Sequence, residues 1–168
     1  MMIDARRLSP IAVLLSSPSL AVAGIAGDSF QVVASVVASC TISGTTLNFS
    51  SSIDPLGTTA PIDATSTLTL TCSNTTPYTV ALSAGSNAGG GSNFAARTMK
   101  SGSRTLAYQL YKDAGRVTVW GDGTAGSSTV TGTGTGGAQT LNIYGRLLSL
   151  ANAVPGTYTD TVAVSISY

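Results

Sequence analysis

Histidine and glutamate are absent from this 168-residue sequence, and charged side chains of any kind make up only 9% of it, against about 25% in an average soluble protein. Without histidine there is no Ser-His-Asp or Cys-His nucleophile system and no imidazole-ligated metal. The acids are all aspartate: Asp4, Asp28, Asp54, Asp63, Asp113, Asp122 and Asp160. The net charge of +1 offers no basic surface to nucleic acid or anionic lipid. No catalytic residue, cofactor or metal site is expected, and no enzyme. What the chain has instead is 23 serines, 24 threonines and 19 glycines. Threonine favours strands, serine and glycine favour turns, and the length fits one domain. The composition is that of a β-rich, weakly charged domain.

Residues 1–23 read as a secretory signal. Arg6 and Arg7 give the positive start, Leu8 to Val22 is mostly apolar, and Ala21-Val22-Ala23 supplies the small-x-small cleavage pattern. A second cleavage position lies after Ala26. The apolar stretch is broken by Pro10, Ser16, Ser17, Pro18 and Ser19, too short and interrupted to span a bilayer, so no membrane span is expected in the mature chain. Removing residues 1–23 takes Asp4, Arg6 and Arg7 away and leaves six bases, six acids and no net charge. A neutral chain has little self-repulsion and associates readily with its own copies.

Two cysteines agree with export. Cys40 and Cys72 are the only pair, and an even count in an exported chain points to a disulfide. The spacing excludes a CxxC redox pair, and two thiolates without histidine make a poor zinc site.

Period-2 alternation runs through the rest. Phe30, Val32, Ala34 and Val36 share one side of a first run; Ile42, Leu47 and Phe49 follow Cys40. Leu68, Leu70 and Cys72 share a face opposite Thr67, Thr69 and Thr71. Further runs are Tyr78/Val80/Leu82, Leu106/Tyr108/Leu110, Val117/Val119 before Trp120, Leu141/Ile143 and Val162/Val164/Ile166/Tyr168. Residues 50–64, 84–93, 121–138 and 151–157 are turn-rich. Beyond the signal no stretch of ten residues has helical periodicity. Six to eight short strands with polar turns predict an all-β sandwich or barrel. The last run reaches Tyr168, and after Asp28 no charge appears until Asp54. Both ends thus lack the charged residues that normally protect strand edges from pairing with other chains; which edge is open is not settled by the sequence.

The stretch from Phe30 through Cys40-Thr-Ile42, with Leu47-Asn-Phe49 after it, resembles the start of the spore coat protein U domain family. Leu106-Ala-Tyr108-Gln-Leu110-Tyr-Lys-Asp113 resembles its middle, and Pro155-Gly-Thr-Tyr158-Thr-Asp160 through Tyr168 its C-terminal strand. The resemblance covers nearly all of residues 28–168. It implies an incomplete immunoglobulin-like β-sandwich of the pilin type, one strand short and completed by donor-strand exchange, as in subunits of the archaic (Csu-type) chaperone–usher pathway. It further implies export to the periplasm and then the cell surface. The implied partners are a periplasmic pilus chaperone, an outer-membrane usher and neighbouring pilin subunits. Strand addition of this kind takes affinity from main-chain bonds and register from alternating side-chain pockets.

On this reading residues 24–168 form the pilin domain, with a donor segment at about 24–36 in which Phe30, Val32, Ala34 and Val36 insert into a neighbour. The 16 residues Gly24 to Ser39 span about 50 Å at roughly 3.3 Å each, enough for a donor strand. The alternative, an ordinary internal strand, has the same alternation. Val162, Val164, Ile166 and Tyr168 would line the acceptor groove or simply pack in the core. The expected function is a structural subunit of a surface pilus supporting adhesion and biofilm formation. The alternatives are an exported adhesin or lectin-like binding module, or a surface or spore coat protein. Tip subunits, the resemblance implies, carry a further N-terminal domain, for which this length has no room.

Three other signals are weaker. Gly132-Thr-Gly134-Thr-Gly-Gly137 matches GxGxxG but precedes a strand, not a helix, so it makes no phosphate site. Asp54 and Asp63 lie where aspartate usually forms turns. Trp120 is one aromatic at a strand end, more a core anchor than a sugar platform.

Overall fold

The computed structural model describes residues 23–151 and 153–168. The stretch expected to be a signal, residues 1–23, therefore lies outside the described residues except at Ala23. The chain divides after Ser35, and every strand among the described residues lies C-terminal to that point.

Eight strands form: β1 (Cys40–Gly44), β2 (Ile62–Cys72), β3 (Pro77–Leu82), β4 (Thr98–Ser101), β5 (Arg104–Tyr111), β6 (Val130–Thr133), β7 (Ala138–Leu147) and β8 (Val164–Ser167). The only helical element among the described residues is a 3-10 turn at Phe94–Ala96. Five strands make one sheet in the order β1-β2-β7-β5-β4, and three make a second in the order β6-β3-β8. All named strand pairs are antiparallel. The longest ladder joins β2 to β7, from Ile62 opposite Leu147 to Thr71 opposite Ala138.

The sheets face each other because alternation gives each one apolar side. Leu68, Leu70 and Cys72 of β2 and Ile143 of β7 meet Tyr78, Val80 and Leu82 of β3, with Tyr108 and Leu110 of β5 in the same cluster. Between β2's apolar positions, Thr67, Thr69 and Thr71 point the other way and stay partly or fully exposed. Trp120 is completely buried and its indole N–H donates to the Val80 carbonyl at 3.1 Å, so it anchors the core.

Cys40 and Cys72 sit directly opposite each other in the β1–β2 ladder and are joined by a disulfide. It ties an edge strand to the sheet. Closing a loop of this length stabilises the fold by roughly 3–4 kcal/mol in the chain-entropy model. Replacing both cysteines with serine should lower the unfolding free energy by that amount, read from urea denaturation of the mature chain.

Several sequence expectations are redrawn. The alternating run at residues 30–36 is not a strand here; residues 23–39 carry no secondary structure. The turn-rich segment 121–138 contains β6, and β2 begins inside segment 50–64. Val117 is 81% exposed, and Val119 and Trp120 form only isolated bridges. The GxGxxG stretch carries the chain from β6 in one sheet to β7 in the other. A Cβ at Gly134 would overlap the Ser73 carbonyl oxygen, and the Gly134 N–H donates to the Thr76 carbonyl at 2.7 Å. Close backbone approach, not phosphate, accounts for that glycine.

Candidate functional site

Four strands end their sheets, β1 and β4 in one and β6 and β8 in the other, and β1 and β8 are the two that approach each other. β8 pairs with β3 on one side, β1 pairs with β2 on one side, and among the described residues no strand pairs with the other side of either. Unpaired N–H and C=O groups along such an edge are a template for another strand.

A trough opens between the chain that continues β1, Gly44 to Phe49, and the chain that leads into β8, Tyr158 to Val164. One lobe encloses about 570 Å³ and reaches Leu68, Leu82, Leu110 and Ile143, which belong to the core itself. An adjoining lobe of about 440 Å³ runs on past Leu106, Leu147, Leu150 and Val154. The lobes share Leu47, Asn48, Phe49, Met99 and Tyr158. The apolar positions at the edges, Ile42, Leu47, Phe49, Val162, Val164 and Ile166, pack on the core yet remain only half-buried. They have one covered flank and one open flank.

Among the described residues the only charged one along either lobe is Asp160, and both of its carboxylate oxygens accept hydrogen bonds. One oxygen accepts the N–H groups of Asn87 at 3.1 Å and Thr161 at 2.9 Å. The other accepts the Tyr108 hydroxyl at 2.7 Å. Gly85, at φ +97°, makes room for it, since a Cβ there would overlap the carboxylate. Burial, reinforced by the Asp160 hydrogen bond, pushes the Tyr108 hydroxyl above its usual range, so it stays protonated and donating. Phe49 meets the Tyr108 ring edge-on at 6.3 Å between centroids. Replacing Tyr108 with phenylalanine removes a hydrogen bond to a carboxylate, worth about 1.5–3 kcal/mol. Urea unfolding of the mature chain should show a loss of that size.

Behind this wall lies Arg97, which is completely buried. Its guanidinium donates to the Gln109 side-chain oxygen at 2.9 Å and to the carbonyls of Ser83 at 2.6 Å and Trp120 at 2.9 Å, and stacks on the Phe94 ring. Burial lowers its pKa to about 10, which leaves it charged at neutral pH. Gln109 lies in β5 and Ser83 directly follows β3, so Arg97 braces one sheet against the other. Ser83 in turn exchanges backbone and side-chain hydrogen bonds with Ala163 at 2.9 Å. The wall leading into β8 is therefore held by two routes, Asp160–Tyr108 and Ala163–Ser83–Arg97.

Of the residues named from the sequence, Val162 and Val164 line the larger lobe. Ile166 is half-buried against the core, and Tyr168 is 58% exposed, after the end of β8. Phe30, Val32, Ala34 and Val36 are all exposed; Phe30 is at 88% and Val36 at 94%. Asp54 accepts the Leu56 N–H within its own turn. Asp63 is paired with Arg146 at 2.7 Å and Arg116 at 3.2 Å, which holds its carboxyl below the usual range. Sequence reasoning saw the Leu47/Phe49 alternation without assigning it to the trough, and it had no signal for Met99 or Arg97.

The Spore Coat Protein U domain model matches residues 26–165. The chain belongs to that family. Among curated proteins no sequence matches it. Among solved structures, a chain of the CsuC–CsuE chaperone–tip adhesion subunit pre-assembly complex, from archaic chaperone–usher Csu pili of Acinetobacter baumannii, matches with a TM-score of 0.53. The identity is 24% over 79% of the present chain, which spans 40% of the length of that chain. The likeness is one of fold: this Spore Coat Protein U domain is an all-β, immunoglobulin-like sandwich of antiparallel sheets.

Proposed function

We propose that the protein is a structural subunit of a surface pilus built by the chaperone–usher pathway, and that the trough is the acceptor for a donor strand. The observation that carries this reading is the trough between residues 44–49 and 158–164, floored by the apolar side chains of Leu68, Leu82, Leu110 and Ile143 and flanked by the unpaired edges of β1 and β8. A small polar ligand would need convergent free polar groups, whereas the single charged side chain along the trough is already hydrogen-bonded. A strand needs an apolar channel and an edge of free backbone groups, and both are present here.

In this reading a periplasmic chaperone fills the trough after export. The N-terminal segment of a neighbouring subunit then displaces it at the outer-membrane usher. Phe30, Val32, Ala34 and Val36 supply the donor side chains; Val162, Val164 and Ile166 supply the acceptor wall, with Tyr168 at its end. Burial of the three larger donor side chains contributes roughly 5–9 kcal/mol before ordering costs, and ladder hydrogen bonds add to it. The assembled fibre supports adhesion and biofilm formation. Membership of the Spore Coat Protein U domain family and the likeness in fold to a chain of a chaperone–pilus subunit complex support this reading.

The test is expression of the full chain with its chaperone and usher in a bacterium lacking pili, followed by immunoelectron microscopy. Fibres labelled by antibody to this chain, and lost when the chaperone is omitted, are the expected result. Absence of labelled fibres when chaperone and usher are both present contradicts the proposal.

A further inference from the structure

In the pilus reading, on which this inference rests, each subunit is pulled at two places: at its own N-terminal segment and at the walls of its trough. We propose that the Cys40–Cys72 disulfide is the route by which this tension crosses the subunit, and that it keeps the pull off the trough wall formed by residues 44–49.

The N-terminal segment joins the sandwich at Cys40, and the chain then runs through β1 to Phe49. Without a bridge, a pull on Cys40 travels down the backbone into β1. That strand is poorly placed to resist: it has five residues, stands at the end of its sheet and pairs on one side. Beyond it, residues 45–61 form no strand. Peeling β1 from its Cys40 end would draw out Ile42 and then Leu47 and Phe49, the apolar side chains of that trough wall. The subunit would lose its hold on one neighbour by being pulled by the other.

The disulfide takes residues 41–71 out of this path. Tension reaching Cys40 passes through two sulfur atoms to Cys72, 32 positions further along the chain. Cys72 is completely buried and ends β2, which is laddered to β7 over ten positions. Only Ser73 to Thr76 then lead to β3, and β3 pairs with β8, the opposite wall of the trough. Those residues are pinned to the β6–β7 connection. Gly136 N–H donates to the Cys72 carbonyl at 3.0 Å, Thr75 N–H to the Gly134 carbonyl at 2.8 Å and Gly134 N–H to the Thr76 carbonyl at 2.7 Å.

The position of the bridge fits this role. Cys40 and Cys72 are the first of the five β1–β2 pairs, and Gly44 opposite Leu68 is the last. No residue of β1 therefore stands between the bridge and the incoming chain. A crosslink further along β1 would still close a loop, but it would leave the start of the strand free to peel. The incoming chain is fastened at the same spot: Ser73 N–H donates to the Ser39 carbonyl at 2.9 Å, and Ser39 N–H donates to the Ser73 hydroxyl at 3.1 Å.

The experiment holds single oxidised fibres at constant tension and adds dithiothreitol. Its two thiols close to a cyclic disulfide as Cys40 and Cys72 become thiols. A bond that carries tension is cut faster when pulled, so the rate of cutting should rise with tension. Each cut frees at most the 32 Cα steps between the cysteines, about 110 Å of extended chain. The fibre should lengthen in steps no longer than this and then part, whereas without reductant it should hold at the same tension. Fibres of the Cys40→Ser/Cys72→Ser variant should part at least about tenfold sooner, the change in rate for about 1.4 kcal/mol of barrier. Intact fibres in enough urea to match the variant's stability are the control and should outlast it. A cutting rate indifferent to tension, or variant fibres lasting as long as the control, would overturn the proposal and leave the pilus reading standing. If the variant assembles no fibres, the tension dependence of cutting in the intact fibre decides alone. If the intact chain forms no fibres with chaperone and usher present, the pilus reading falls and this proposal with it.

Discussion

Deleting residues 24–36 is expected to abolish fibres while leaving a folded subunit that its chaperone still captures. The expectation follows from where the removed residues stand. None belongs to a strand, and Phe30, Val32 and Val36 are each more than 80% exposed. Their removal therefore costs the subunit none of its core, whose cluster begins with Cys40. What is lost is the side-chain set that would cover a neighbour's trough, and with it roughly 5–9 kcal/mol of burial per joint. A loss of that size is more than a thousandfold in affinity at each junction, and a fibre is only as durable as its junctions. Immunoelectron microscopy of cells should count no fibres, while the deleted subunit still co-purifies with the chaperone. Surviving fibres would remove these residues from the joint.

Replacing Val164 with aspartate is expected to have an effect as large from the opposite side. Val164 pairs with Leu82 in the β3–β8 ladder and lines the larger lobe, yet it is only half-buried. The empty subunit therefore tolerates a charge that can still reach water. Once a strand covers the trough, the carboxylate has no cationic partner, since the lobes carry no basic residue. An uncompensated buried charge costs about 3–5 kcal/mol, which weakens capture at least about 100-fold. The neighbouring Ser165 faces outward, so Ser165→Asp is the control and should leave capture unchanged. Pull-down with the chaperone separates the two variants; equal capture would place Val164 outside the acceptor.

The two-sheet fold was largely legible because its alternating runs each had a buried face waiting. Leu68, Leu70 and Cys72, and Tyr78, Val80 and Leu82, turn inward as their periodicity implies. The alternation of Phe30, Val32, Ala34 and Val36 is as regular, yet it forms no strand here. Periodicity records that a face is made to be covered and is silent on what covers it. β6 was hidden because Val130-Thr-Gly-Thr133 reads as turn. Its pairing with β3 is decided by tertiary fit, with Gly132 seated against the Tyr78 ring where any Cβ would clash. Arg97 gave no warning either. A single arginine after two alanines looks exposed in sequence, and only the convergence of Ser83, Gln109 and Trp120 from distant segments buries it. For the trough, one wall was legible in Val162 and Val164. The opposite wall needed the fold to bring Leu47 and Phe49 across from it.

Amide hydrogen exchange along residues 162–168 tests the central claim most directly. In the subunit lacking residues 24–36, the backbone amides on the free edge of β8 should exchange rapidly, while those bonded to β3 are protected. In the assembled fibre both sets should be slow. Free-edge amides already as slow in the lone subunit as in the fibre would mean that the sandwich is complete by itself, and would contradict the account.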